Sequence, residues 1–192
     1  MAEEKKLDPS CIKKGNRPKI EDVINHFLNG DLKEAALNFA AFMRVNKMPF
    51  KIVTSTPRRQ RADFKGYEIC NIGVYDNIDP MTGVIIPPGE SSCLAITPNL
   101  YNISKYDELA VNEGLNNIPW NVTRYCVFKD NSERTDVNGT CSRCRKVTNR
   151  TIFGIEYKGL CHHYWPTFFN PDKETVEIIK RLLALEKQAR NG

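Results

Sequence analysis

The sequence predicts an α+β fold: an antiparallel sheet with an N-terminal helical pair, a middle helix, a C-terminal helix and a zinc-binding cysteine cluster. Three observations carry this. Apolar residues recur at helical spacing near both ends and once in the middle, while the segments between are rich in β-branched and aromatic residues. Helices and strands come in runs, which favours an antiparallel sheet over regular βαβ alternation. A short-spaced cysteine pair, Cys141-Ser-Arg-Cys144, lies among further thiols and imidazoles in the C-terminal third.

Residues 1–19 mix Lys, Glu, Pro and Gly without periodicity and read as a flexible leader. Residues 20–192 are expected to form one α+β domain that includes a Cys-rich metal-binding lobe at about 126–163. Ile20, Val23, Ile24 and Phe27 predict a helix over 20–28. Asn29-Gly30-Asp31 then ends it, with Gly30 at C′ and Asp31 capping the next helix. That helix is expected over about 31–47, with Leu32, Ala36, Phe39 and Met43 as its stripe. His26, in the first helix, reads as a surface or helix-end residue rather than a ligand.

Phe50–Thr54 reads as extended, Pro57–Arg61 as a basic loop, and Tyr67–Tyr75 as an inner strand because both its parities are partly apolar. Asp76–Ser92, punctuated by prolines and glycines, is a long loop of the kind that is often functional. Cys93–Thr97 forms a further strand stopped by Pro98, and Asn102–Gly114 a helix. Pro119–Phe128, Thr151–Tyr157 and Leu160–Phe169 read as extended. Asn170-Pro171-Asp172 opens the last helix with Asn170 as cap, and Val176, Ile179, Leu182, Leu183 and Leu185 form its apolar face to about Arg190.

The net charge of +5 and pI near 8.8 are mild for a committed nucleic-acid binder, so they permit an anionic partner without requiring one. Arg58, Arg59 and Arg61 are the candidate anion-binding residues, set against the plainer reading of a solvated basic loop. No stretch approaches the roughly 20 apolar residues that span a bilayer, and the N-terminus has no signal-type apolar region. A cytoplasmic chain with no membrane partner is expected. The acceptor patterns at Asn102, Asn121, Asn138 and Asn149 are then incidental. An odd count of 7 cysteines argues against a complete disulfide framework and for thiols.

Two thiolates separated by two residues can converge on one zinc from a tight turn, at about 2.3 Å each. Cys126, Cys141, Cys144 and Cys161 are the simplest set of four; His163 could replace Cys126, since Cys161 and His163 share a face of an extended segment. Four protein ligands leave no open coordination position, so the zinc reads as structural. Against this stand unligated thiols, the reading given to Cys11, Cys70 and Cys93, and a redox pair, which would need a helix N-terminus that this Arg-rich loop lacks. Neither a phosphate-binding loop nor a Gly-x-Ser-x-Gly elbow occurs.

From Cys141 onward the chain resembles a family of small hypothetical bacterial proteins, mainly from Firmicutes. The shared elements are Cys141-Ser-Arg-Cys144, then Thr151-Ile-Phe-Gly-Ile-Glu156-Tyr157, then Cys161 and the helix after Asn170-Pro171-Asp172. Members often carry a further Cys-Pro-Gly in the cluster, where this chain has Arg145-Lys-Val-Thr-Asn149; this leaves the fourth ligand open. The resemblance implies a metal site and a bacterial cytosolic setting, and no particular catalysis. The expected function is a zinc-stabilised binding or interaction module for a protein or nucleic acid. The alternatives are a small enzyme with a pocket beside the 76–92 loop, and a thiol-based redox or metal sensor.

Overall fold

The computed structural model describes residues 18–52, 58–75, 92–116, 147–153, 155–161 and 166–191. The fold is α+β. These residues belong to two compact units, one within Met1–Thr97 and Phe168–Lys180, the other within Pro98–Thr167 and Arg181–Gly192.

In the first unit, α1 (Ile20–Phe27) and α2 (Gly30–Val45) form a helical pair. Its apolar stripes bury Ile20, Val23 and Ile24 from α1 and Ala35, Ala36, Phe39, Ala40 and Met43 from α2. The Asp22 carboxylate accepts the Lys19 backbone N–H (3.1 Å), satisfying a donor at the start of α1. The junction comes earlier than the sequence expectation, by one residue at the end of α1 and by two at the cap of α2. Leu28 caps α1, its N–H reaching the Ile24 carbonyl, and Asn29 is the cap position of α2. Gly30 supplies the left-handed turn (φ +54°) as the first residue of α2.

Five strands follow in the order β1-β2-β3-β4-β7, with β1 and β7 at the edges. They are β1 (Phe50–Ile52), β2 (Arg59–Phe64), β3 (Tyr67–Tyr75), β4 (Cys93–Pro98) and β7 (Phe168–Phe169). The pairs β1–β2, β2–β3 and β4–β7 are antiparallel. β2 replaces the expected basic loop. Its charged residues alternate with buried Gln60 and Ala62, so a period-2 pattern exists, written in Arg and Asp rather than in β-branched residues. A bulge at Ala62/Asp63 lets Ile69 and Cys70 of β3 both be buried. The consecutive buried residues of β3 and of Cys93–Ile96 mark inner strands, a position expected for β3 only.

Asn170 does not cap the last helix. With φ +43° it clamps β4: its N–H donates to the Leu94 carbonyl and its Oδ1 accepts the Leu94 N–H, both at 2.8 Å. Asp172 takes the cap, its Oδ1 receiving the Thr175 N–H at 2.7 Å at the start of α4 (Lys173–Ala189). α4 belongs to the first unit up to Lys180 and to the second from Arg181. All five residues expected on its apolar face are buried.

In the second unit the predicted middle helix breaks at Tyr106 (φ −137°), giving a 3-10 turn (Ile103–Lys105) and a short α3 (Asp107–Asn112). β5 (Val147–Ile152) and β6 (Ile155–Cys161) pair as an antiparallel hairpin, where the sequence reading has one strand over Thr151–Tyr157. Phe153 makes the turn in the left-handed region (φ +50°), and its N–H donates to Asp107 Oδ1 at 2.6 Å. The stretch read as Leu160–Phe169 is likewise divided, Cys161 closing β6 and Phe168–Phe169 forming β7. Among the described residues no helix is long and apolar enough to cross a membrane.

Candidate functional site

Of the predicted zinc ligands, Cys126, Cys141, Cys144 and His163 lie outside the described residues, as does the loop core at 76–91. Cys161 is the last residue of β6 and pairs with Val147, the first of β5. The register continues through Thr148 with Leu160, slips once, and resumes through Arg150 with Tyr157 to the turn. The open end of this hairpin is therefore where Cys161 sits, and Val147 follows Cys144 by three residues. Among the described residues no group of three or more His, Cys, Asp or Glu side chains is arranged to hold a metal. Cys70 and Cys93 are buried thiols of β3 and β4. Burial pushes the Cys70 thiol well above its usual range, aided by the nearby Glu68 charge, so it behaves as a small apolar residue.

The three candidate anion-binding arginines are divided between environments. Arg58 lies with its guanidinium 4.0 Å over the Phe27 ring of α1. Arg59 and Arg61 share the opposite face of β2, across Gln60. Arg59 is exposed. Arg61 is engaged by Asp63 (2.8 Å) and Glu68 (3.7 Å), and Asp63 also takes Lys51 from β1 (2.5 Å). Burial opposes ionisation of Asp63, but hydrogen bonds from Lys51 and Arg61 outweigh it and hold the carboxyl below its usual value. Arg61 is thus already serving a carboxylate of its own sheet.

Two further features have chemistry that the sequence reading does not identify. In the second unit Glu186 is fully buried and its carboxylate is saturated by four donors. Oε2 accepts the Asn102 N–H (3.0 Å) and the Tyr106 hydroxyl (2.8 Å). Oε1 accepts Asn102 Nδ2 (2.9 Å) and Arg190 Nε (2.8 Å). Burial and then the Glu186 charge push the Tyr106 hydroxyl far above its usual range. Every lone pair that could act as a base is taken up, so the arrangement holds structure. Spacing could have revealed it: Ile179, Leu182, Leu183 and Glu186 follow one helical stripe, which puts an acid on an apolar face.

In the first unit a cleft of about 350 Å³ lies where β1 meets the start of α1 and the side of α2. Its lining includes Ile20, Ala40, Ile52 and Gln60, with Glu21, Arg44 and Lys51 as charged members. No family model, no curated protein and no solved structure matches the chain.

Proposed function

We propose that the chain is a zinc-stapled binding module of a bacterial cytoplasm, in which the metal is structural and activity lies in recognition of a partner. The proposed ligands are Cys126, Cys141, Cys144 and Cys161, with His163 as the alternative to Cys126. One observation carries the reading: Cys161 stands directly across from Val147 at the open end of the β5–β6 hairpin. Directly opposed residues have Cα atoms about 4.5–5.5 Å apart. Covalent geometry keeps a residue three positions away within about 11 Å of Val147. The chain from Cys141 and Cys144 to Val147 is short enough to let both thiols come to the Cys161 end, where one ion could hold all three without rearranging the hairpin.

Bound there, zinc would join the ends of β5 and β6 with closed coordination. A two-stranded hairpin is marginal by itself, and structural zinc contributes on the order of 10 kcal/mol to folding. Substituting Cys141 and Cys144 by serine tests this. Loss of bound zinc together with faster amide exchange across Val147–Cys161 is the expected result. A double variant that keeps its amide protection but loses a reversible disulfide would instead identify a redox pair.

A further inference from the structure

We propose that the Asn29–Gly30 peptide at the α1–α2 junction is a self-modifying site, where the Asn29 side-chain amide is lost through a cyclic imide and aspartate or isoaspartate remains. The inference is independent of the zinc staple. In such a step the backbone nitrogen of the following residue attacks the asparagine Cγ. The reaction therefore needs an untethered side-chain amide, an uncrowded nitrogen, and freedom to rotate the bond between them. The junction supplies all three. Asn29 is exposed and, although it holds the cap position of α2, its side chain makes no cap hydrogen bond. Gly30 has no Cβ to crowd its nitrogen. Beyond its chain neighbours and its own helix backbone, no described atom lies within 4 Å of where a Cβ would be. Gly30 also opens α2, with φ +54°, and the first amides of a helix have no intrahelical acceptor, so the helix does not hold its N–H.

Asn29 stands extended (φ −131°, ψ 166°), and closing the ring requires rotation about its Cα–C bond. The described contact that opposes this rotation is the Lys33 N–H to the Asn29 carbonyl, a long hydrogen bond of 3.3 Å. The atoms balance without an oxidant or reductant. The bond from Gly30 nitrogen to Asn29 Cγ forms, the Cγ–Nδ2 bond breaks, and ammonia leaves with the Gly30 amide proton. Water then adds at either ring carbonyl, breaking its bond to nitrogen and returning a proton there. Opening at Cγ leaves aspartate. Opening at the main-chain carbonyl leaves isoaspartate, with the backbone routed through the former side chain. The two products act in opposite directions. Aspartate is a favoured cap residue and puts a negative charge beside the positive end of α2. Isoaspartate adds a backbone carbon directly after Leu28, which is 1% exposed and caps α1 through its N–H to the Ile24 carbonyl (2.9 Å), and so strains the helical pair.

Peptide mapping by mass spectrometry tests the proposal on the full chain held in warm, mildly alkaline buffer, beside the same chain unfolded in guanidinium chloride. The peptide carrying Asn29 should show the mass change of OH replacing NH2 and divide into two chromatographic forms. Its rate should lie within about tenfold of the unfolded chain, equivalent to less than about 1.4 kcal/mol for freeing the junction. Asn29→Gln, which would have to close a larger ring, should lose the conversion while circular dichroism shows the helices intact. Conversion more than about tenfold slower in the native protein than in the unfolded chain overturns the proposal. So does conversion confined to the other asparagine–glycine pairs, Asn138-Gly139 and Asn191-Gly192. A product that is aspartate alone would show direct hydrolysis by water and overturn the imide route.

Discussion

Replacing Glu186 by alanine is expected to be the most damaging single substitution among the described residues of the second unit. The carboxylate is fully buried, and its partner Arg190 has a side chain only 8% exposed. Removal takes the shared carboxylate from the Arg190 guanidinium, the Tyr106 hydroxyl and both nitrogens of Asn102 at once, leaving Arg190 its contact with the Asn99 carbonyl. Breaking a buried ion pair by deleting one partner costs about 3–5 kcal/mol, because the other charge is left uncompensated. A domain's whole stability is roughly 5–15 kcal/mol, so this is a large share of it. In a chain of this size each kcal/mol moves the melting temperature by about 2–4 °C, so a fall of roughly 6–20 °C is expected. Thermal unfolding followed by circular dichroism, at fixed zinc, reads it directly. Amide exchange adds a local test: the Asn102 N–H, which donates to Glu186, should lose its protection in the variant. A shift below about 2 °C, equivalent to less than 1 kcal/mol, with Asn102 still protected, would show that the Glu186 carboxylate does not hold these groups together.

Smaller effects follow from the same contacts. Tyr106→Phe removes one hydrogen bond to a charged acceptor and should cost about 1.5 kcal/mol, since three donors remain on Glu186. The raised Tyr106 hydroxyl contributes stability below the unfolded tyrosine value of about 10 and loses it as pH rises beyond that, so Tyr106→Phe should flatten the alkaline limb of a stability–pH curve. Asp172→Ala should cost about 0.5–2 kcal/mol in chemical denaturation by deleting the cap at the start of α4. Asp172, held low by hydrogen bonds from Thr175, and Asp63, held low by Lys51 and Arg61 against its burial, both contribute stability above their unfolded value of 3.8. That contribution should be lost as pH falls below it, and each Asp→Asn variant should show a shallower acid limb.

Much of the fold was legible where apolar periodicity dictates burial. The stripes of α1, α2 and α4 and the two-sided apolar character of β3 are direct statements of what must leave water, and the structure buries most of those residues, leaving Phe27 and Leu32 half-buried. What was not legible depends on partners distant in sequence. β2 reads as a basic loop because its strand character rests on Lys51 and Glu68 arriving from neighbouring strands to balance Arg61 and Asp63. The helix expected over Asn102–Gly114 breaks because Asn102 and Tyr106 turn to Glu186, more than 75 residues away, in preference to continuing the helix. A turn with Phe153 at positive φ carries no turn-forming residue type at that position, so the β5–β6 hairpin looks like a single strand. Asn170 and Asp172 are both good caps by residue type, and only the clamp on Leu94 decides between them. For the candidate zinc site the sequence supplies the ligands and their spacing, whereas the pairing of Val147 with Cys161 comes only from the fold. The cleft beside β1 could not be read at all, because it is made by four elements that have no shared pattern.

The most direct test of the zinc staple is the metal content of protein purified without added zinc, measured by inductively coupled plasma mass spectrometry beside a thiol titration of the native state. About one zinc per chain is expected, with Cys126, Cys141, Cys144 and Cys161 unreactive until a chelator removes it, or Cys126 alone reactive if His163 is the fourth ligand. Metal-free protein in which those four thiols react freely while the β5–β6 hairpin keeps its amide protection would contradict it.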